Sequence, residues 1–274
     1  QLDDTPVTGE YAKQYKDNKE FSTTLMANTM YLELNQREKN SILQNKNVRK
    51  AISYAIDRSK YAKNILDNGS ISAMGVVAKD VAFDPSTKKD FANKMLVHFD
   101  TEKAQSYWNK AKKELNIKEQ VTLNILTNEE ETTKKAAEYI QGQLEENLKG
   151  LKITITPVPA NVQIERVMKH DFTISLSGWQ ADYPDPMSFL GNFESNSVLN
   201  FGGYSNTKYD EYLKDTSDKR WKSLKKAEEL LLEDAGVVPF LQVGNSKLLK
   251  STMKNIETHS IGAKYDYKKM KRLE

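Results

Sequence analysis

Apolar residues recur along this chain at two spacings, one of helical and one of strand period, and the spacing sets the expected elements. Residues 1–20 are polar, with a helix expected around Glu10–Lys16. From Phe21 to Leu34 the run turns apolar, and alternation after Thr29 predicts a strand. Asn47 is placed to cap a helix in which Val48, Ala51, Ile52, Ala55 and Ile56 share one face, with Gly69 after Asn68 as its natural stop. Residues 70–99 carry Gly75 and Asp84-Pro85 and little periodicity, so they read as irregular. Asp100 caps a helix through Leu115, with Ala104, Tyr107, Trp108, Ala111 and Leu115 as its apolar positions. Because its neighbours keep the helical period, Trp108 reads as core.

The most regular section follows. Val121–Leu126 alternates as a strand, Glu129–Leu148 repeats Ala136, Ile140, Leu144 and Leu148 at helical spacing, and Gly150 ends that helix. Leu151–Val158 is a second strand. Asn161 then caps a short helix carrying Val162, Ile164, Val167 and Met168, and Phe172–Ser177 is a third strand. Strand, helix, strand, helix, strand is the pattern of parallel units with right-handed crossovers, which makes the fold class α/β. After the third strand stands Gly178-Trp179-Gln180-Ala181-Asp182-Tyr183-Pro184-Asp185-Pro186. Gly178 and the prolines predict a loop at the strand's carboxyl end, where open α/β sheets bind ligands. A carboxylate beside an aromatic plane suits a ligand with a cationic head and an apolar remainder. The other reading of the same stretch is a surface loop with Trp179 as a packing residue.

Downstream, Met187–Leu190 predicts a helical turn, Asn192–Tyr204 a polar surface excursion, and Tyr209–Thr216 and Lys219–Ala235 two helices, with Trp221 in packing. Val237–Val243 reads as a final strand whose Pro239 argues for an edge or a bend. Lys264–Glu274 is basic and aromatic without a clear period.

Composition narrows the chemistry. The 274 residues allow one large domain or two small ones. Lys+Arg 41 against Asp+Glu 38 gives a net charge of +3, and the lysines are interleaved with acids, as in Lys225-Lys226-Ala227-Glu228-Glu229. That is a solvated helix face and not a nucleic-acid footprint. No apolar run is long enough to span a membrane. Gln1-Leu2-Asp3-Asp4 is no basic leader, so the chain is expected to start mature or partway through a longer protein. Cysteine is absent, which excludes disulfides, thiol catalysis and cysteine-ligated metals. His98, His170 and His259 lie far apart in sequence, so neither a metal site nor a histidine-based triad is expected. No phosphate loop, nucleophile elbow or EF-hand pattern appears, and no cofactor is expected. Asp182 and Asp185, three apart in one proline-rich loop, give no reason to face a shared substrate, so no enzyme is expected.

Three stretches in order then resemble one family, the extracytoplasmic oligopeptide-binding proteins of ABC importers (family 5 solute-binding proteins, peptide class). Asn47-Val48-Arg49-Lys50-Ala51-Ile52-Ser53-Tyr54-Ala55-Ile56-Asp57-Arg58 is similar to the helix that starts their second lobe. Gly178–Pro186 resembles their strand-loop signature, and Ala235-Gly236-Val237-Val238-Pro239-Phe240 their return strand. The likeness is to the C-terminal half of such proteins.

It implies a periplasmic-binding-protein-like lobe, with a mixed sheet flanked by helices, plus remnants of the other lobe. Residues 1–34 would be a first-lobe remnant, 35–242 the second, peptide-binding lobe, and 243–274 the first-lobe return segment, with a hinge where the chain crosses near Leu34 and Val243. The implied function is to bind extracellular oligopeptides between two lobes and deliver them to an ABC transporter permease. The implied setting is a monomer without nucleic acid or cofactor, either periplasmic or a Gram-positive cell-surface lipoprotein whose lipid anchor is absent from this chain. Carried to this sequence, Asp182 pairs with the peptide's α-ammonium, backbone at Gly178 and Gln180 pairs with the peptide as an added strand, and Trp179 lines a side-chain pocket. Asp185 is implied to be structural. Two other readings stay open: a surface interaction module (an adhesin or signalling-peptide receptor) on the same lobe, and a hydrolase using Asp182 and Asp185.

Overall fold

The computed structural model describes residues 4–7 and 10–273. After a short strand β1 (Asp4–Val7) and helix α1 (Glu10–Tyr15), the chain enters β2 (Phe21–Leu34). From Met26 on, both faces of β2 are largely buried. Met30, Leu32 and Leu34 point into one core and Ala27 and Tyr31 into another.

The first core is closed by α2 (Lys46–Tyr54), α4 (Thr101–Glu114) and α5 (Glu131–Asn147). Helix α2 begins two residues earlier than the apolar pattern predicts: Asn45 is the cap, its Oδ1 accepting from the N–H groups of Asn47 and Val48, so Asn47 lies inside the helix. Nor does the helix run on to Gly69. It stops at Tyr54, restarts as α3 (Arg58–Lys60), capped by Asp57, and continues as a wider turn over Tyr61–Leu66. The break has a cause. Carbonyls that would continue the ladder are taken by side chains: Ala55 by Asn147 Nδ2 (2.9 Å), Asp57 by the Tyr139 hydroxyl (2.7 Å), and Ser53 and Ile56 by the Arg58 guanidinium (3.0 Å each). The expected face of Val48, Ala51, Ile52, Ala55 and Ile56 is nonetheless fully buried, as is Trp108.

Beyond the two-residue β3 (Ile71–Ser72), the parallel part of the sheet is built from β4 (Val121–Asn128), β5 (Leu151–Val158) and β6 (Ile174–Gln180). Helix α6 (Ala160–Met168) lies between β5 and β6. It follows Pro159 with no side-chain cap, so Asn161 is an interior residue and not the cap. Its buried positions are Gln163 and Val167, whereas Ile164 and Met168, expected on its apolar face, are 60% and 62% exposed.

The second core packs on the opposite side of β2, under α7 (Met187–Leu190), α8 (Thr207–Leu213), α9 (Arg220–Glu233) and the loop through Val76 and Ala82. The return strand β7 (Val238–Leu249) is longer than its predicted span, and Pro239 sits at a register shift opposite Tyr31. The main sheet runs β1-β7-β2-β6-β4-β5, with β3 also on β7, and is antiparallel from β1 to β6 and parallel from β6 to β5. A larger irregularity between β2 and β7 sets Met26–Asn28 against Val243, and the Gln242 amide fills it by donating to Met26 O (2.9 Å). Leu34, by contrast, is regularly paired with Ile174. The tail forms two hairpin pairs, β8 (Met253–Lys254) with β11 (Lys271–Arg272) and β9 (Glu257–Thr258) with β10 (Tyr265–Asp266). No helix among the described residues is long and apolar enough to cross a membrane.

Two buried carboxylates fasten loops to this frame. Glu228 on α9 accepts the Val77 N–H at 2.8 Å, and a Cβ on Gly75 would collide with it. Glu33 at the end of β2 accepts the Gly202 N–H at 3.0 Å. Burial pushes each up to about 7, partly opposed by those backbone hydrogen bonds. Raised carboxyl values mean that the ionised form opposes folding. The opposition is absent below the unfolded value near 4.5 and complete above about 7. Acidifying from pH 8 to 5 should therefore stabilise the fold through each group, by up to about 3 kcal/mol. Urea titrations of wild type and Glu228→Gln at both pH values check this. The variant should lose part of the gain, and identical pH dependence in the two proteins would exclude Glu228 as a source.

Candidate functional site

All of the residues singled out for binding fall on β6 or just after it. The strand does not end at Ser177: Gly178, Trp179 and Gln180 continue it because Met30, Thr29 and Asn28 of β2 pair with them. These three positions are thus strand and not loop, and irregular backbone begins at Ala181. Gly178 needs no left-handed conformation, and a Cβ there would meet only ordinary contacts.

On its other edge β6 is paired with β4 at Ile174 and Ser175 only. From Gly178 onward, no described strand lies on that side. Residues along an antiparallel strand alternate between bonding to one neighbour and bonding away from it. The Ala181 N–H donates to Ala27 O (2.8 Å) and the Asn35 N–H to Thr173 O (3.0 Å), so the odd-numbered residues of β6 face β2. Hence the main-chain groups of Leu176, Gly178 and Gln180 point to the β4 side. Leu176 O accepts from Gln163 Nε2 at 3.0 Å. The groups of Gly178 and Gln180 form a short, open sheet edge beyond the carboxyl end of the parallel strands.

Trp179 carries its ring on the opposite face of the sheet from the Gln180 side chain, half-buried against the second core and directly across from Thr29. Its Nε1 and the Thr29 Oγ1 are buried without a hydrogen-bond partner among the described residues. Asp182 is exposed, and its carboxylate has no partner among the described residues. Its position is set by its own N–H, which donates to Ser188 Oγ at 2.8 Å. Asp185 is fully engaged: Oδ1 accepts from the Met187 N–H (2.9 Å), and both oxygens accept from the Arg220 guanidinium (2.8 and 3.0 Å). That fork straps the loop to the start of α9 and leaves Asp182 as the free carboxylate of the stretch. A carboxylate held this way has a structural task and is poorly placed for acid–base work.

Gln163, Ser188 and Arg220 are the residues that sequence reading passed over. An isolated glutamine, serine or arginine at a helix position carries no periodic or motif signal. The structure also gathers Glu257, His259 and Asp266 on the exposed β9–β10 hairpin, with potential ligand atoms within 4.8 Å of one another, though Lys269 Nζ already lies 3.2 Å from Glu257 Oε1.

Comparison with known proteins agrees in kind across sequence and structure. The profile of the bacterial extracellular solute-binding proteins, family 5, matches residues 1–201. The dipeptide-binding protein DppE of Bacillus subtilis (strain 168) is 28% identical over 269 residues, 96% of this chain and 49% of that protein. Among solved structures, the pheromone receptor PrgZ, described with its mode of peptide binding, superposes with a TM-score of 0.93 at 62% identity, covering 100% of this chain and 54% of that one. OppA of Listeria monocytogenes bound to peptide gives a TM-score of 0.91 at 35% identity, again over 100% of this chain and 54% of that one. The chain thus spans about half the length of each of these three relatives.

Proposed function

The chain belongs to the family 5 bacterial extracellular solute-binding proteins, and from that premise we infer that it supplies the peptide-binding lobe of an oligopeptide receptor serving an ABC transporter permease. The observation that carries this reading is the open edge at Gly178 and Gln180 with a free carboxylate, Asp182, just beyond its end. An added peptide strand would bond to that edge through main chain alone, which suits a receptor of varied sequences. Its α-ammonium would meet Asp182, and Trp179 would line one side-chain pocket. Relatives that bear functional names here are binding proteins, in keeping with a role without turnover.

The same reading divides the chain at 34 and 242, with the second lobe between and first-lobe segments on either side. The β2–β7 irregularity at Met26–Asn28 and Val243 supports a bend at the second crossing only, since Leu34 is regularly paired with Ile174. Binding would then need the remaining length of a two-lobed receptor, held as an extracytoplasmic monomer, at the surface by a lipid anchor or in a periplasm. The likeness to a pheromone receptor favours a second reading, in which the same site serves a narrow set of signalling peptides.

Calorimetric titration of the two-lobed receptor with a peptide mixture, free and N-acetylated, tests the proposal. Binding of the free form alone is the expected result. Equal binding of both forms would keep the receptor and displace Asp182, and binding of neither would overturn the reading. Heat from a few peptides only, instead of the broad mixture, would select the signalling role.

A further inference from the structure

The open edge of β6 is short, and one side chain makes it so. Helix α6 places Gln163, 7% exposed, against β6, where its Nε2 donates to Leu176 O at 3.0 Å and lies 3.3 Å from Ser175 Oγ. It stands where the β4 ladder has just ended, at Ser175. A buried carbonyl needs a donor, and here a side chain provides it in place of a further strand. The last outward carbonyl before Gly178 is thereby occupied, and beyond it β4 takes the edge at Ser175 and Ile174.

We propose that Gln163 is a register-setting residue for the bound peptide, confining main-chain pairing on β6 to Gly178 and Gln180. This rests on the peptide reading above. A peptide whose α-ammonium meets Asp182 would run antiparallel to β6, passing Gln180, then Gly178, then reaching Gln163. Outward groups of a strand recur every second residue, about 7 Å apart. Peptide residues 1 and 3 bond to Gln180 and Gly178, while residue 5 would face Leu176 and finds its carbonyl taken. Residues past the third therefore leave the sheet edge and are held without backbone pairing to β6. The receptor would demand an extended backbone over three residues only, and admit bends, prolines and variable length after them.

An N-methyl scan of one pentapeptide that binds the two-lobed receptor tests this. Methylation of the residue 3 amide should weaken binding about tenfold, the loss of a hydrogen bond with its steric penalty, and methylation of the residue 5 amide should leave affinity unchanged. In Gln163→Ala the Leu176 carbonyl is released, and sensitivity should appear at residue 5. Equal losses at residues 3 and 5 in the wild type would overturn the inference, as would a Gln163→Ala receptor that folds, binds and keeps the wild-type scan. The wild-type scan stands by itself if the variant does not fold. A pentapeptide set that never binds would sink the peptide reading and this inference together, whereas binding without a step after residue 3 would remove this inference alone.

Discussion

Replacing Asp182 with asparagine should weaken binding of a free peptide by about 2–5 kcal/mol in the two-lobed receptor. The substitution keeps the size of the side chain and the Asp182 N–H to Ser188 Oγ bond, and removes only the charge. Nothing in the loop can replace it, because Asp185 is bound on both oxygens by Arg220. A peptide enclosed at this edge takes its ammonium out of water, and an ammonium left there without a countercharge is strongly disfavoured. Calorimetry with free and N-acetylated versions of one peptide isolates the pair, since the acetylated form should not distinguish aspartate from asparagine. A loss below about 1 kcal/mol, the size of an exposed ion pair, would mean that the ammonium stays in solvent and that Asp182 does not grip it.

The largest effect on stability is expected at Arg49. Its guanidinium is buried under α2 and donates to four carbonyls: Leu43 O and Gln44 O (2.9 Å each), Asp234 O (3.0 Å) and Ala235 O (3.1 Å). Burial lowers its pKa, with Asp234 opposing the shift. One side chain thus joins the turn before α2 to the end of α9, two segments far apart in sequence. Arg49→Met fills similar volume but donates nothing, leaving those carbonyls unpaired. A loss of about 3–5 kcal/mol in urea unfolding is expected. Lys46→Met is the control, since its 2.6 Å pair with Asp234 is near the surface and should be worth no more than about 1 kcal/mol. Similar small losses in both variants would show that water replaces the Arg49 bonds.

Neither arginine of the Asn47–Arg58 stretch could be read as buried from sequence. A cation on a helix normally marks its solvated side, and what draws Arg49 and Arg58 inward is carbonyl groups supplied by other segments, Ala235 and Pro239 among them. The apolar face of the same helix was legible because burial of Val48, Ala51, Ile52 and Ile56 follows from period alone. Its cap was not, since Asn45 and Asn47 have equal claims and both amides donate to Glu114 of the distant α4. The site divides in the same way. Residues 178–182 were marked by their chemistry and by a family likeness. Their strand conformation was hidden, because Gly178-Trp179-Gln180 lacks an alternating signal and takes its geometry from β2. Which backbone groups point outward follows only from that pairing, and Gln163 becomes meaningful only once the edge is known.

The place of β2 also bears on when the Gly178–Gln180 edge becomes ordered during folding. The strand that carries Gly178–Gln180 leans on β2, and β2 in turn pairs with β7, joining Phe21 to Leu248 and Leu32 to Val238. Such contacts close almost the whole length of the chain, and long closures form late. A nascent chain ending before Val238 already contains every residue of the candidate site, yet lacks the strand that holds β2 from its other side. The Gly178–Gln180 edge would therefore become ordered only after β7 has joined the sheet, late in folding.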